Sequence, residues 1–121
     1  MPKILVVDDD VSITELMKLL LQMEGHEPTT VNNSLQAIEI AKSVKPDLIT
    51  LDLMMPGLTG FEVCELLHKD PEFSNTPIVI ISAKDDPESK EKALQVGANQ
   101  YITKPFGTEA LLDAVKTLVK K

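Results

Sequence analysis

The feature that most constrains this chain is a fivefold alternation between short, β-rich apolar runs and segments with helical spacing. Ile4-Leu5-Val6-Val7 is a continuous apolar run, as expected for a strand covered on both faces. Ile13, Leu16, Met17 and Leu20 follow at helical spacing, and Gly25 supplies a stop. Glu27 to Val31 reads as a weaker, more polar strand suited to a sheet edge. Ser34 is an N-cap candidate for a helix with Leu35, Ile38 and Ala41 on one face, ended by Pro46. Asp47 to Leu51 is a third strand, and Pro56, Gly57 and Gly60 punctuate the loop before a helix carrying Phe61, Cys64 and Leu67. Pro77 to Ile81 is a strongly β-branched fourth strand, and Pro87 to Val96 a fourth helix closed by Gly97. Asn99 to Ile102 is a short fifth strand. Leu111, Val115 and Leu118 mark a final helix, with Lys116, Lys120 and Lys121 placed favourably near its C-terminal dipole. Five such repeats predict an α/β fold: a parallel sheet with right-handed crossovers and helices on both faces.

A chain of 121 residues suits one compact domain, expected to span 1–121 with no effector domain inside it. The formal net charge of -7 argues against direct nucleic-acid or anionic-membrane binding, because both reward clustered Lys and Arg. The single cysteine, Cys64, cannot form an internal disulfide, which fits a reducing compartment; on its apolar helical stripe it reads as a small core residue. No stretch approaches the apolar length of a membrane span, and Met1-Pro2-Lys3-Ile4 lacks a signal-peptide layout. The expected location is cytoplasmic.

In a parallel sheet of this kind, ligands bind beyond the carboxyl ends of the strands. The first strand is followed there by Asp8, Asp9 and Asp10, the third by Asp52, the fourth by Ser82 and the fifth by Lys104. The second delivers Asn32 and Asn33, which are less distinctive. Three carboxylates, Asp8, Asp9 and Asp52, against one ammonium leave the pocket a net charge of about -2 on ordinary side-chain pKa values. Crowded carboxylates raise one another's pKa, and a divalent cation relieves that. An all-oxygen donor set without His or Cys suits a hard ion such as Mg2+, with Mn2+ able to substitute. A carboxylate beside such an ion and a lysine can attack phosphorus and form an aspartyl phosphate. Each residue alone has an ordinary reading: Asp10 as a helix cap, with Ser12 and Glu15 as an alternative capping box, Asp8 and Asp9 as acids at a helix N-terminus, Asp52 as a turn residue, Ser82 as a cap and Lys104 as a surface charge. Those readings do not account for their joint arrival at successive strand ends.

Together these residues resemble the receiver domain of bacterial two-component response regulators. The motifs are Asp8-Asp9 after an apolar strand, Asp52-Leu53-Met54-Met55-Pro56-Gly57, Ser82-Ala83 and Lys104-Pro105-Phe106, and the likeness covers essentially the whole chain. The resemblance implies a flavodoxin-like three-layer sandwich with strand order 2-1-3-4-5. It implies that Asp52 accepts a phosphoryl group from a phosphohistidine of a sensor histidine kinase or histidine phosphotransfer protein. Asp9, Asp52 and the backbone carbonyl of Met54 would ligate Mg2+ directly, and Asp8 would act largely through a metal-bound water. Lys104 would pair with the phosphoryl group, Ser82 would move to hydrogen-bond it, and Tyr101 would swing inward behind Ser82. The surface of the fourth helix, fifth strand and fifth helix would report the change to a downstream protein target or effector domain, with a phosphorylation-dependent homodimer as one form of output. The resemblance also implies a cis bond between Lys104 and Pro105, and slow or moderate dephosphorylation because Met54 and Lys84 flank the phosphoryl group. No turnover of external substrates is implied beyond self-phosphorylation and autodephosphorylation.

Two other readings compete. Phosphatases of the haloacid-dehalogenase type also use an aspartate nucleophile with Mg2+, but they place a second acid two residues later, where this chain has Met54. A pseudo-receiver that only binds partners would not need the complete set of acids, serine and lysine. A nucleotide-binding enzyme is disfavoured because no Gly-rich phosphate loop follows the first strand. His26, in a turn, and His68, near a helix end, read as surface residues, and the Met54-Met55 pair as packing rather than a soft-metal site.

Overall fold

The computed structural model describes residues 1–119. Five parallel strands, β1 (Lys3–Val7), β2 (Glu27–Val31), β3 (Leu48–Leu51), β4 (Ile78–Ser82) and β5 (Gln100–Thr103), lie in the order β2-β1-β3-β4-β5. Between and after them run α1 (Val11–Met23), α2 (Ala37–Val44), α3 (Gly60–Lys69), α4 (Pro87–Gln95) and α5 (Thr108–Leu118), with a 3-10 turn at Ser34–Gln36 leading into α2. The expected α/β architecture and strand order are therefore found. Lys120 and Lys121, expected near the end of the last helix, lie outside the described residues.

Residues of the central strands alternate between two apolar layers. Leu5, Val7, Ile49, Leu51, Ile78 and Ile80 face α2, α3 and α4. Ile4, Val6, Val79 and Ile81 face α1 and α5. Both faces are thus covered, which explains why these strands read as unbroken apolar runs. The edge strand β2 keeps only Val31 fully buried, as its polar sequence requires. Cys64 is a buried core residue, and burial pushes its thiol up to about 11.

Helix faces differ from the expected stripes. α1 buries Thr14, Met17 and Leu21, while Leu16 is exposed and Ile13 and Leu20 only half-buried. Apolar residues occupy two faces of this helix, so spacing alone does not choose between them. Leu35 is exposed, and α2 packs through Ala37 and Ala41. Ser34 does not cap α2: Asn33 caps the 3-10 turn through its side-chain oxygen, and the Ser34 hydroxyl turns elsewhere. Asp10 caps α1 by accepting from the Ser12 and Ile13 amides, so the Ser12–Glu15 box is not used. His68 is exposed, whereas His26 is only partly so, with Nδ1 buried and without a partner among the described residues.

Candidate functional site

Strand register brings the site together. Val7 lies opposite both Val31 and Leu51, so the first residues beyond β1 and β3 emerge side by side. The ladder continues one step past the strands: the Asp8 amide donates to Val31 O at 3.0 Å and the Asp52 amide to Val7 O at 3.1 Å. On the far side, the Lys104 amide donates to Ser82 O at 2.8 Å, which carries Lys104 back over the sheet edge. The Lys104–Pro105 bond is cis, as the resemblance implied.

Asp8 and Asp52 are buried, at 3% and 6% exposure, and Asp9 is open to solvent. One carboxylate oxygen from each lies within 4.8 Å of the others. Lys104 Nζ bridges the two buried acids, 2.8 Å from Asp8 Oδ2 and 3.3 Å from Asp52 Oδ2. Burial, then the Asp8 charge, pushes the Asp52 carboxyl above its ordinary value of 3.8, and Lys104 offsets this only in part. Burial works against the charge on Lys104, but its hydrogen bond to Asp8 and the charge of Asp52 outweigh it, so its ammonium is held above the ordinary range. One lysine cannot neutralise three acids. The donor set is all oxygen, close-packed and under-neutralised, and fits a hard divalent cation such as Mg2+.

Ser82 ends β4, wholly buried, and its Oγ accepts from the Lys84 amide at 3.2 Å. Tyr101 Oη donates to the Lys84 carbonyl at 2.7 Å. Lys84 is thus held at its amide by Ser82 and at its carbonyl by Tyr101, a backbone connection between the two expected switch residues. Burial pushes the Tyr101 phenol up. Met54 and Lys84 are exposed and line one cleft of about 470 Å3 with Leu53, Met55, Thr59 and Phe61. The Met54 amide donates to Asp52 Oδ1 at 3.3 Å, turning the loop after β3 back toward the acid.

Comparison with known proteins decides the relationship. Residues 4–116 match the family model described as the response regulator receiver domain. This chain belongs to the response regulator receiver domain family. Among curated relatives, it is 38% identical over 119 residues to the DNA-binding response regulator MtrA of Mycobacterium tuberculosis, covering 98% of this chain and 51% of that protein. It is 38% identical over 118 residues to the phosphate regulon transcriptional regulatory protein PhoB of Pseudomonas aeruginosa, covering 98% and 52%. The chain spans about half the length of these curated relatives. Among solved structures, the chemotaxis protein CheY4 of Vibrio cholerae superposes with a TM-score of 0.92 at 33% identity, over 98% of each chain. Receiver domains bind Mg2+ at an acidic pocket and interact with histidine kinases, generally as signalling modules rather than enzymes; in this chain Asp8, Asp9 and Asp52 form an acidic cluster. Among the described residues no helix is long and apolar enough to cross a membrane.

Asp8, Asp9, Asp52, Met54, Ser82 and Lys104 lie at this sheet edge, whereas Tyr101 lies within β5 and reaches the loop after β4 through its hydroxyl. Three supporting residues were read from the sequence for other reasons: Asn32 as an undistinctive strand-end residue, Gly60 as loop punctuation and Ser34 as a helix N-cap. Asn32 donates through Nδ2 to the Asp8 carbonyl at 2.9 Å and to Thr14 Oγ1 at 3.0 Å. Gly60 lies so close to the Asp52 carbonyl oxygen that a Cβ would collide with it. Ser34 bonds to the loop after β3. A polar residue just past β2 and a glycine opening a helix were the only sequence signals.

Proposed function

We propose that Asp52 accepts a phosphoryl group from a phosphohistidine of a sensor histidine kinase or histidine phosphotransfer protein. The observation that carries this reading is the Lys104 ammonium held between Asp8 and Asp52, with Asp9 beside them at the carboxyl edge of the sheet. In the transfer, a carboxylate oxygen of Asp52 bonds to phosphorus as the P–N bond to imidazole breaks, and the electron pair leaves with the ring nitrogen. Asp9, Asp52 and the Met54 carbonyl would hold Mg2+, with Asp8 acting through a metal-bound water; Mn2+ would serve in its place. The ion supplies charge stabilisation to the phosphoryl oxygens. Lys104 exchanges its contact with Asp52 for one with a phosphoryl oxygen, keeping Asp8 as its anchor.

Output follows from Ser82. Its hydroxyl turns from the Lys84 amide to the phosphoryl group, loosening the loop that Tyr101 also holds. The domain then redistributes between two existing arrangements. The face built by α4, β5 and α5 presents the difference to a target protein or effector domain, or to a second copy. No direct contact with nucleic acid is assigned to this domain, whose net charge is -7.

The test is incubation with acetyl phosphate and Mg2+, followed by mass spectrometry. The expected result is one phosphoryl group per chain, lost in Asp52→Asn and absent with a chelator. A phosphorylated Asp52→Asn protein would overturn the assignment. Sustained hydrolysis of a chromogenic phosphomonoester would favour the phosphatase reading instead, against which the non-acidic Met54 stands.

A further inference from the structure

The loop between β2 and α2 touches both acid-bearing loops of the pocket. At its start, Asn32 Nδ2 holds the Asp8 carbonyl at 2.9 Å. Two residues later Ser34, 1% exposed, donates its hydroxyl to Pro56 O at 2.8 Å and accepts from the Leu58 amide at 3.0 Å. These two partners flank Gly57, whose φ of +84° lets the chain reverse around the serine oxygen. The loop after Asp52 is tied near Asp52 by the Met54 amide to Asp52 Oδ1 at 3.3 Å and the Gly60 amide to Leu53 O at 3.0 Å, and at its far end by Ser34. Between these ends Met55 is buried in the core, and Ser34 supplies the side-chain hydrogen bonds at Pro56 and Leu58. A cleft of about 310 Å3 runs beside the serine from Asp9 to Pro56.

We propose that Ser34 is a positioning residue for the cation pocket, its hydroxyl fixing the loop that presents the Met54 carbonyl toward Asp52 and Asp9. This rests on the reading of that pocket as the Mg2+ site. A hydroxyl that both donates and accepts within a buried site fixes the loop in direction as well as distance. Its removal leaves the Pro56 carbonyl and the Leu58 amide without it, and the loop is free to drift from the acids. Partners one shell removed from a metal typically change its affinity by about tenfold or more.

The test compares wild type, Ser34→Ala and Asn33→Ala by Mg2+ titration of amide NMR shifts, with hydrogen exchange at Leu58 and the melting temperature of each. Asn33 serves as the control, because its side chain only caps the adjacent 3-10 turn. The expected result is a Mg2+ Kd raised about tenfold in Ser34→Ala, with faster Leu58 exchange and slower phosphorylation by acetyl phosphate. Asn33→Ala should lower the melting temperature and keep the wild-type Kd. Equal Kd values in wild type and Ser34→Ala would overturn the proposal, as would equal weakening in both variants. A wild-type chain that binds no Mg2+ would instead overturn the pocket reading on which this rests. Should Ser34→Ala fail to fold, Ser34→Cys gives the same comparison, since a thiol of similar shape hydrogen-bonds only weakly.

Discussion

Asp52 sits where the protein disfavours its charge. Its carboxyl is raised by burial and by Asp8, so part of the folding free energy is given up to keep this carboxylate ionised at neutral pH. Replacing it by Asn removes a charge that the pocket cannot neutralise. Asp52→Asn should therefore stabilise the metal-free domain by on the order of 1 kcal/mol, roughly 3–5 °C in melting temperature, while abolishing phosphorylation. A melting temperature that falls would show that the carboxylate is structurally required. Lys104 predicts the opposite sign. Lys104→Ala leaves Asp8 and Asp52 facing each other without their shared cation, and should cost about 2 kcal/mol in chemical denaturation without Mg2+. Met54 and Lys84 line one exposed cleft, and the resemblance implies that their side chains flank a phosphorylated Asp52 and hinder the attacking water. Truncating either to Ala should speed decay of the phosphorylated form by about threefold, roughly 0.65 kcal/mol of barrier. Unchanged half-lives in both variants, followed after removal of acetyl phosphate, would exclude them as gates. Asp8, Asp9, Asp52, Ser82 and Lys104 were legible in the sequence because a parallel sheet sends the residue after each strand to one edge. The supporting roles of Asn32 and Ser34 were not, because what gives them those roles is a partner 24 or 22 residues away rather than their own position.

Elements place these residues by close backbone approach. α3 begins at Gly60 directly against the end of β3, and a capping box between Thr59 and Glu62 fixes the start of that helix. Gly60→Ala sets a methyl against the Asp52 carbonyl, where backbone rather than a flexible side chain must move. It should cost about 2 kcal/mol or more and slow phosphorylation as well, since the same shift displaces Asp52. Denaturant unfolding together with acetyl phosphate kinetics would check both, and loss of stability at full rate would detach the helix start from the site. The order and kind of elements were readable because the periods of strand and helix differ so plainly here. The buried faces of α1 and α2 were not. In α1, Leu16, Leu19 and Met23 are exposed although Thr14 is buried, because the Thr14 hydroxyl is satisfied by Val11 O and Asn32 Nδ2. Hydrophobicity alone ranks these residues in the wrong order; the polar contact that reverses the ranking comes from the loop after β2.

Over the whole molecule, the proposed Mg2+ site sets proton and metal in competition for one pocket. In the metal-free domain the raised Asp52 carboxyl means that, between its ordinary value of 3.8 and its folded value, the native state binds more protons than the unfolded chain. Stability contributed by this group is thus present at acid pH and declines as pH rises through that window. Lys104 acts at the other end: its raised ammonium contributes stability that is full below its ordinary 10.5 and is lost as pH climbs through the folded value. A divalent cation needs Asp52 ionised, so it binds where Asp52 weakens the metal-free fold. It stabilises the native state in proportion to the logarithm of its concentration above Kd, about 2.7 kcal/mol at a hundredfold excess. Melting curves with and without saturating Mg2+ should therefore diverge as pH rises from 4 toward 7, the metal-induced shift being largest near neutrality and vanishing on acidification. The shift should shrink strongly in Asp9→Ala, which removes the one exposed carboxylate of the trio. A Mg2+ effect independent of pH, or unchanged in Asp9→Ala, would place the ion elsewhere on this acidic protein.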